Sequence, residues 1–213
     1  MKKLLLTGAF KYSREQLNKL ESLGYKIVFV QDERKALNID VSDIDAVVCN
    51  SLFLYNDIKE FKKLRIIQLT SAGLDRVPLD YINEKGVQLF NARGVYSIPM
   101  AEWAILKTLE IYKKSRVFYK NQVQHKWEKQ RDLLELTDKT AAIVGYGSVG
   151  TEIAKRLKAF GVNVISVTRK MHKDEYVDEV ALIDELNSVL MKSDIIILTL
   201  PLTDETRHII NED

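Results

Sequence analysis

Cysteine is almost missing from this 213-residue chain. Cys49 stands alone, which excludes an internal disulfide and suits a reducing, cytoplasmic setting. It ends the apolar run Ala46-Val47-Val48, where a small buried residue is the expected role rather than a reactive thiol. An excess of charge of one sign is also missing. The 32 Lys and Arg against 30 Asp and Glu leave a net +2, too little to argue for nucleic acid or a polyanionic surface. No apolar run approaches the length of a membrane span. Met1-Lys2-Lys3 followed by Leu4-Leu5-Leu6 resembles a leader only briefly, because Thr7-Gly8 cuts it short; it reads as a first buried strand. The three histidines, His125, His172 and His208, lie in polar or charged stretches and read as surface residues. None has metal-ligand spacing with a cysteine or a carboxylate cluster, so no metal site is assigned. No Gly-x-Ser-x-Gly or similar nucleophile motif appears, and no repeat beyond an α/β rhythm.

What is there is an ordinary globular composition, 46% hydrophobic and 29% charged, in which short apolar runs alternate with amphipathic stretches. Strands are expected at Lys3–Thr7, Lys26–Val30, Ala46–Cys49, Ile66–Thr70 and Val87–Phe90. Between them, Ser13 can cap a helix carrying Leu17, Leu20 and Leu23 that stops at Gly24; Ile58, Phe61 and Leu64 form a second stripe; Asp80 to Lys85 form a short helix ending at Gly86. A long helix is expected from Pro99 to about Gln124, with Trp103, Leu106, Leu109 and Tyr112 at helical spacing. Trp127 to Thr137 reads as a connection. A second α/β region then places strands at Ala141–Val144, Asn163–Thr168 and Ile195–Leu200, and helices at Val149–Phe160 and Ala181–Met191. This alternation implies parallel sheets covered by helices on both faces.

The most informative stretch is residues 141–150, Ala-Ala-Ile-Val-Gly-Tyr-Gly-Ser-Val-Gly. An apolar strand enters Gly145-Tyr146-Gly147-Ser148-Val149-Gly150, and a helix carrying Ile153, Ala154, Leu157 and Phe160 follows. The first glycine permits the tight turn, the second lets a pyrophosphate approach the backbone, and the third lets helix and strand pack. The phosphates would sit on the free N–H groups of the helix start. A turn used for packing alone, or for another adenosyl ligand such as S-adenosylmethionine, is the alternative.

Several stretches together resemble the D-isomer-specific 2-hydroxyacid dehydrogenases. Leu64 to Asp75 looks like that family's strand and glycine loop; Gly86 to Asn91 and Met100-Ala101-Glu102-Trp103 look like the next strand and the interdomain helix. Trp127 through Gly150 resembles the entry to its cofactor domain, and Ser193-Asp194 to Thr206 its strand and Pro-Leu-Thr turn. The resemblance implies two parallel-sheet domains: a flavodoxin-like substrate domain over residues 1–97, then a linking helix and an incomplete Rossmann cofactor domain over 98–213. It implies hydride transfer between NAD(P)(H) and a small 2-oxo or 2-hydroxy acid. Ser71, Ala72 and Gly73 would offer N–H groups to the substrate carboxylate; Arg76 and Arg93 have the charge to join them but read as solvated surface. Leu200, Pro201, Leu202 and Thr206 would lie by the nicotinamide side; the alternative there is a proline that ends a strand and a threonine that caps a turn. Thr168, Arg169 and Lys170 follow the second strand where the family's usual aspartate would hold the adenosine ribose. Thr, Arg and Lys accept a 2′-phosphate that a carboxylate would repel, so NADP(H) is preferred over NAD(H); the alternative is that Arg169 and Lys170 are solvent-facing loop charges and Thr168 leaves the preference open.

The resemblance also places an arginine, a histidine and a glutamate of the catalytic set beyond the Pro-Leu-Thr turn. The sequence stops at Asn211-Glu212-Asp213, so no catalytic residue is assigned, and this chain is expected to bind cofactor weakly without turnover. With no later strand beside it, Ile195–Leu200 is expected to form an exposed apolar edge. A non-catalytic NADP(H)-binding or regulatory protein of the same fold is the second reading. A homodimer through the cofactor domain is the partner the resemblance implies.

Overall fold

The computed structural model describes residues 1–211; Glu212 and Asp213, at the stop of the sequence, lie outside them. The chain divides into two compact units between Arg93 and Gly94, against the 97/98 boundary expected from sequence.

The first unit runs β1 (Lys2–Thr7), α1 (Arg14–Ser22), β2 (Tyr25–Val30), β3 (Ala46–Cys49), α2 (Leu52–Tyr55), β4 (Ile66–Leu69), α3 (Leu79–Lys85) and β5 (Gln88–Phe90). All five strands are parallel, in the order β2-β1-β3-β4-β5, the flavodoxin-type order. Leu5, Val47, Cys49, Ile67 and Leu69 fill one face of the sheet with Ile82 of α3; Leu4, Leu6 and Ala46 fill the other. α1 starts in a capping box, in which Ser13 Oγ accepts from Gln16 N (3.2 Å) and Gln16 Oε1 accepts from Ser13 N (2.8 Å). The apolar stripe at Ile58, Phe61 and Leu64 is not a helix: only Ile58–Glu60 winds, as one 3-10 turn started by the Asp57 carboxylate. Three apolar residues at helical spacing suffice to bury one side of a turn.

The second unit runs α4 (Ser97–Tyr112), α5 (Ser115–Val123), β6 (Thr140–Val144), α6 (Ser148–Ala159), β7 (Asn163–Thr168), β8 (Glu179–Leu182), α7 (Leu186–Met191) and β9 (Ile195–Leu198). Its parallel sheet has the order β8-β7-β6-β9. β6 shows why both faces are covered. Ala141 and Ile143 pack under Ala101 and Ile105 of α4 and Ile153, Ala154 and Leu157 of α6; Ala142 and Val144 point the other way, to Leu186 and Val189 of α7. β9 stands at the end of this sheet, with Ile196 and Leu198 exposed.

Two expectations for this unit fail. The helix expected from Pro99 to Gln124 is broken at Lys113-Lys114, where Lys114 takes a left-handed conformation (φ 49°). The chain returns there: Leu134 N donates to Tyr112 O (3.1 Å) and Lys113 Nζ to Leu134 O (2.7 Å), so a carbonyl and an ammonium at the helix end are engaged by a distant segment. The helix expected over Ala181–Met191 begins five residues late, because Glu179–Leu182 pairs with β7 as strand β8. A short apolar run such as Val180-Ala181-Leu182-Ile183 fits either period until a partner strand decides it. Among the described residues no helix is long and apolar enough to cross a membrane.

Candidate functional site

The glycine turn joins β6 to α6. Gly145 has φ +93°, and a Cβ on it would lie 2.8 Å from the Leu200 side chain and 3.0 Å from Leu200 N. Its own N–H donates to Val167 O (2.9 Å), and its carbonyl accepts from Thr199 Oγ1, so neighbouring strands fix it on both sides. Gly150 is held by packing: a Cβ there would meet Gly145 O at 2.8 Å and Ile143 Cγ2 at 3.2 Å. Gly147 differs from both. It is extended (φ −111°, ψ −161°), and a Cβ on it would meet nothing within 4 Å. No turn strain and no contact within the chain requires glycine at that position, and the space beside its backbone is open.

Gly147 is also the N-cap of α6 and supplies no side-chain oxygen to the first-turn N–H groups. The first helical bond runs from Thr151 N to Gly147 O (2.9 Å), leaving the N–H groups of Ser148, Val149 and Gly150 at the helix start where an anion is favoured. Val149 packs onto the core below, which aims that helix start.

The end of β7 lies beside the same turn. A cavity of about 810 Å³ is lined by Tyr146, Thr168, Arg169, Lys170, Met171, His172 and Asp174. Thr168 Oγ1 donates to Lys170 O (2.8 Å) and holds the loop back on itself. Arg169 and Lys170 are exposed; Arg169 Nη1 lies 3.6 Å from Glu205 Oε2, an exposed pair that water competes with. Tyr146 stacks on His172, with ring centroids 4.7 Å apart and planes 20° apart. Burial, and then the charge of Asp174, raise the Tyr146 phenol above its ordinary pKa. One polar atom here, His172 Nε2, is buried without a hydrogen-bond partner, whereas the Tyr146 hydroxyl lies by Thr151 and Asp174. The bare Gly147 backbone, the uncapped helix start and the His172 nitrogen are polar features that suit a nucleotide.

Leu200 closes over Gly145, and Pro201 and Leu202 are exposed beyond it. The Thr206 hydroxyl is spent inside its own turn, donating to Pro201 O (2.6 Å) and accepting from Thr203 N (2.9 Å).

The first unit carries the Ser71-Ala72-Gly73 loop at the end of β4. Ser71 O accepts from Ala92 N (2.9 Å), Ala72 O from Asn91 Nδ2 (2.8 Å) and Gly73 O from Ser71 Oγ (3.2 Å). With trans peptides, each captured carbonyl turns the next N–H the opposite way, so the amides of Ala72, Gly73 and Leu74 point away from those acceptors. Arg76, whose side chain stays 42% exposed, donates from Nη1 to Asn50 Oδ1 and to Ser51 Oγ (3.3 Å). Arg93 is exposed.

A profile described as "D-isomer specific 2-hydroxyacid dehydrogenase, NAD binding domain" matches residues 105–213. The chain belongs to that family. It is 29% identical to the D-3-phosphoglycerate dehydrogenase of Methanocaldococcus jannaschii over all of this chain and 41% of that protein. It is 32% identical to the hydroxypyruvate reductase of Thermotoga maritima over 85% of this chain and 59% of that protein. The chain therefore spans about half the length of the curated relatives it matches. The structure of a glyoxylate reductase from Paecilomyes thermophila superimposes with a TM-score of 0.83 over 98% of this chain and 68% of that one; at 24% identity this likeness shows the fold alone.

Two features of this family member were not readable from its sequence. His172 is half-buried against Tyr146, not a free surface histidine, whereas His125 and His208 are exposed with positive φ. Glu33 is a buried carboxylate whose oxygens accept from Thr7 Oγ1 (2.6 Å), Asn50 N (3.1 Å) and Ser51 N (2.5 Å). It ties the ends of β1 and β3 together; Asn50 Nδ2 carries the tie to Thr70 Oγ1 (3.2 Å), beside the Ser71 loop. In sequence, Glu33 is one charge in Gln31-Asp32-Glu33-Arg34-Lys35, and no local pattern separates it from its neighbours.

Proposed function

We propose that this chain serves an NADP(H)-dependent oxidoreductase that moves hydride between the nicotinamide and C2 of a small 2-oxo or 2-hydroxy acid. The observation that carries the reading is Gly147, a glycine that nothing inside the chain requires, at the uncapped start of α6. The amides of Ser148, Val149 and Gly150 receive the pyrophosphate, and Gly145 and Gly150 keep strand and helix close enough to aim them. The bound nicotinamide would supply or take up the hydride at its C4. Leu200, Pro201, Leu202 and Thr206 form the turn assigned to its side of the site. Arg169 and Lys170 favour the 2′-phosphate of NADP(H), and the half-buried Thr168 puts no carboxylate against it. The amides of the Ser71-Ala72-Gly73 loop receive the substrate carboxylate. The names of the relatives, phosphoglycerate dehydrogenase and hydroxypyruvate reductase, support a small hydroxy acid as substrate. The lone buried Cys49 supports a cytoplasmic setting.

The test is a side-by-side titration of the 213-residue chain with NADPH and NADH, read by cofactor fluorescence. We expect saturable binding of both, with NADPH tighter by about tenfold, the worth of one charge-assisted phosphate contact. No binding of either would overturn the reading; tighter NADH would overturn the preference. A second copy of the chain is the partner we propose for the second unit, which exposes Trp103 and Leu106 of α4, Phe118 and Tyr119 of α5, and Trp127. Light scattering after size exclusion should give twice the chain mass, and a monomer at micromolar concentration would remove that proposal.

A further inference from the structure

We propose that His172 is a specificity-determining residue for the nucleotide, a third donor beside Arg169 and Lys170 to a phosphate on the 2′ position of the adenosine ribose. The proposal rests on the nucleotide reading above. It starts from a buried imidazole nitrogen, Nε2, that has no partner, on a ring lining the same cavity as Arg169 and Lys170. A buried donor or acceptor left unmatched is costly, and a polar group entering that cavity removes the cost. The stack on Tyr146 fixes the plane of the ring at the edge of the glycine turn.

The charges around it suit a phosphate. The cavity lining holds two fixed cations, Arg169 and Lys170, against one carboxylate, Asp174. Asp174 is engaged locally, its Oδ1 accepting from Tyr176 N (2.9 Å). Glu205 faces Arg169 from the Pro-Leu-Thr turn, but that pair is exposed and long, and a phosphate carrying close to two negative charges outcompetes it. Nicotinamide dinucleotide without the 2′-phosphate would leave His172 as it is now.

A merely structural histidine would act through Tyr146 on both nucleotides alike, and two variants separate the cases. His172→Phe keeps a flat ring against Tyr146 and removes the nitrogen; His172→Gln gives up the aromatic stack and restores a donor. The full chain and both variants are titrated with NADPH, NADH, 2′,5′-ADP and 5′-ADP, and circular dichroism confirms folding. His172→Phe should weaken NADPH and 2′,5′-ADP by about tenfold or more, the worth of one hydrogen bond to a charged group, and leave NADH and 5′-ADP within about twofold. His172→Gln should recover most of the loss. If His172→Phe weakens all four ligands equally, or none, the proposal is wrong while the nucleotide reading stands. If His172→Phe does not fold, a His172→Gln protein that has lost its preference for the 2′-phosphate overturns the proposal, and one that keeps it supports the proposal. A wild-type chain that binds none of the four removes both.

Discussion

Gly147 and Gly150 lie three residues apart, yet they answer to different partners. A side chain on Gly150 is driven into the Gly145 carbonyl at 2.8 Å, which is backbone and cannot move aside. A side chain on Gly147 enters open space. Gly150→Val should therefore destabilise the second unit by roughly 1–3 kcal/mol, the usual cost of overpacking. Gly147→Val should cost no more than about 1 kcal/mol, since only the helix cap is affected. Its effect belongs to the ligand: a branched side chain there occupies the approach to the α6 amides, and NADPH affinity should fall more than tenfold. Thermal unfolding and NADPH titration of both variants check this. A Gly147→Val protein that binds NADPH like the wild type would show that this backbone faces nothing. Gly145 meets both demands at once, positive φ and contact with Leu200, so its substitution would not separate fold from binding.

One device recurs among the strands. The residue before β3 is Asp45, whose Oδ2 accepts from Lys3 N (2.8 Å) while its own N–H donates to Lys3 O (3.0 Å). The residue before β9 is Asp194, whose Oδ2 accepts from Thr140 N (2.9 Å) while its N–H donates to Thr140 O (2.8 Å). In each case a carboxylate closes the open end of a parallel ladder at the first strand of its sheet. The Thr140 amide, and after it the Lys139 ammonium at 3.1 Å, hold the Asp194 carboxyl below its ordinary pKa. A depressed folded value means that this stabilisation is complete above the unfolded aspartate value of about 3.9 and is lost as pH falls through the folded one. Asp194→Asn keeps an acceptor for Thr140 and removes the charge. It should melt below wild type at pH 7, and the two melting curves should converge in stronger acid. A gap that stays constant down to the acid limit would assign the effect to packing. Strands of this kind were readable in sequence because apolar runs such as Leu4-Leu5-Leu6 and Ala141 to Val144 end in glycine. β8 and the break at Lys114 were not, because each is decided by a partner far along the chain: β7 in one case, Leu134 in the other. The site divides in the same way. Its glycines could be read from local spacing, whereas the contacts of His172 and Glu33 arise only from tertiary packing.

At the scale of the whole molecule, the two units share a frame and differ in what their first turn can hold. Gly8 N donates to Val30 O (2.9 Å) as Gly145 N donates to Val167 O (2.9 Å), each glycine leaving a central parallel strand toward its neighbour. After Gly8 the chain reads Ala-Phe-Lys-Tyr-Ser, with no second or third glycine, so the turn proposed as a phosphate cradle belongs to the second unit alone. The buried clusters separate in the same way: those around Leu5 and Leu4 draw only on the first unit, those around Ile143 and Val144 only on the second. Separate cores predict separate unfolding, and both tryptophans, Trp103 and Trp127, lie in the second unit, so their fluorescence follows that unit alone. Circular dichroism follows both. Adding NADPH at about one hundred times its dissociation constant stabilises the unit that binds it by about 2.7 kcal/mol. The fluorescence transition should then rise by on the order of 10 °C, while the remaining dichroism transition stays in place. A single transition seen by both probes and moved as a whole by NADPH would mean that the cores unfold as one, and that the cradle's stability is shared across the chain.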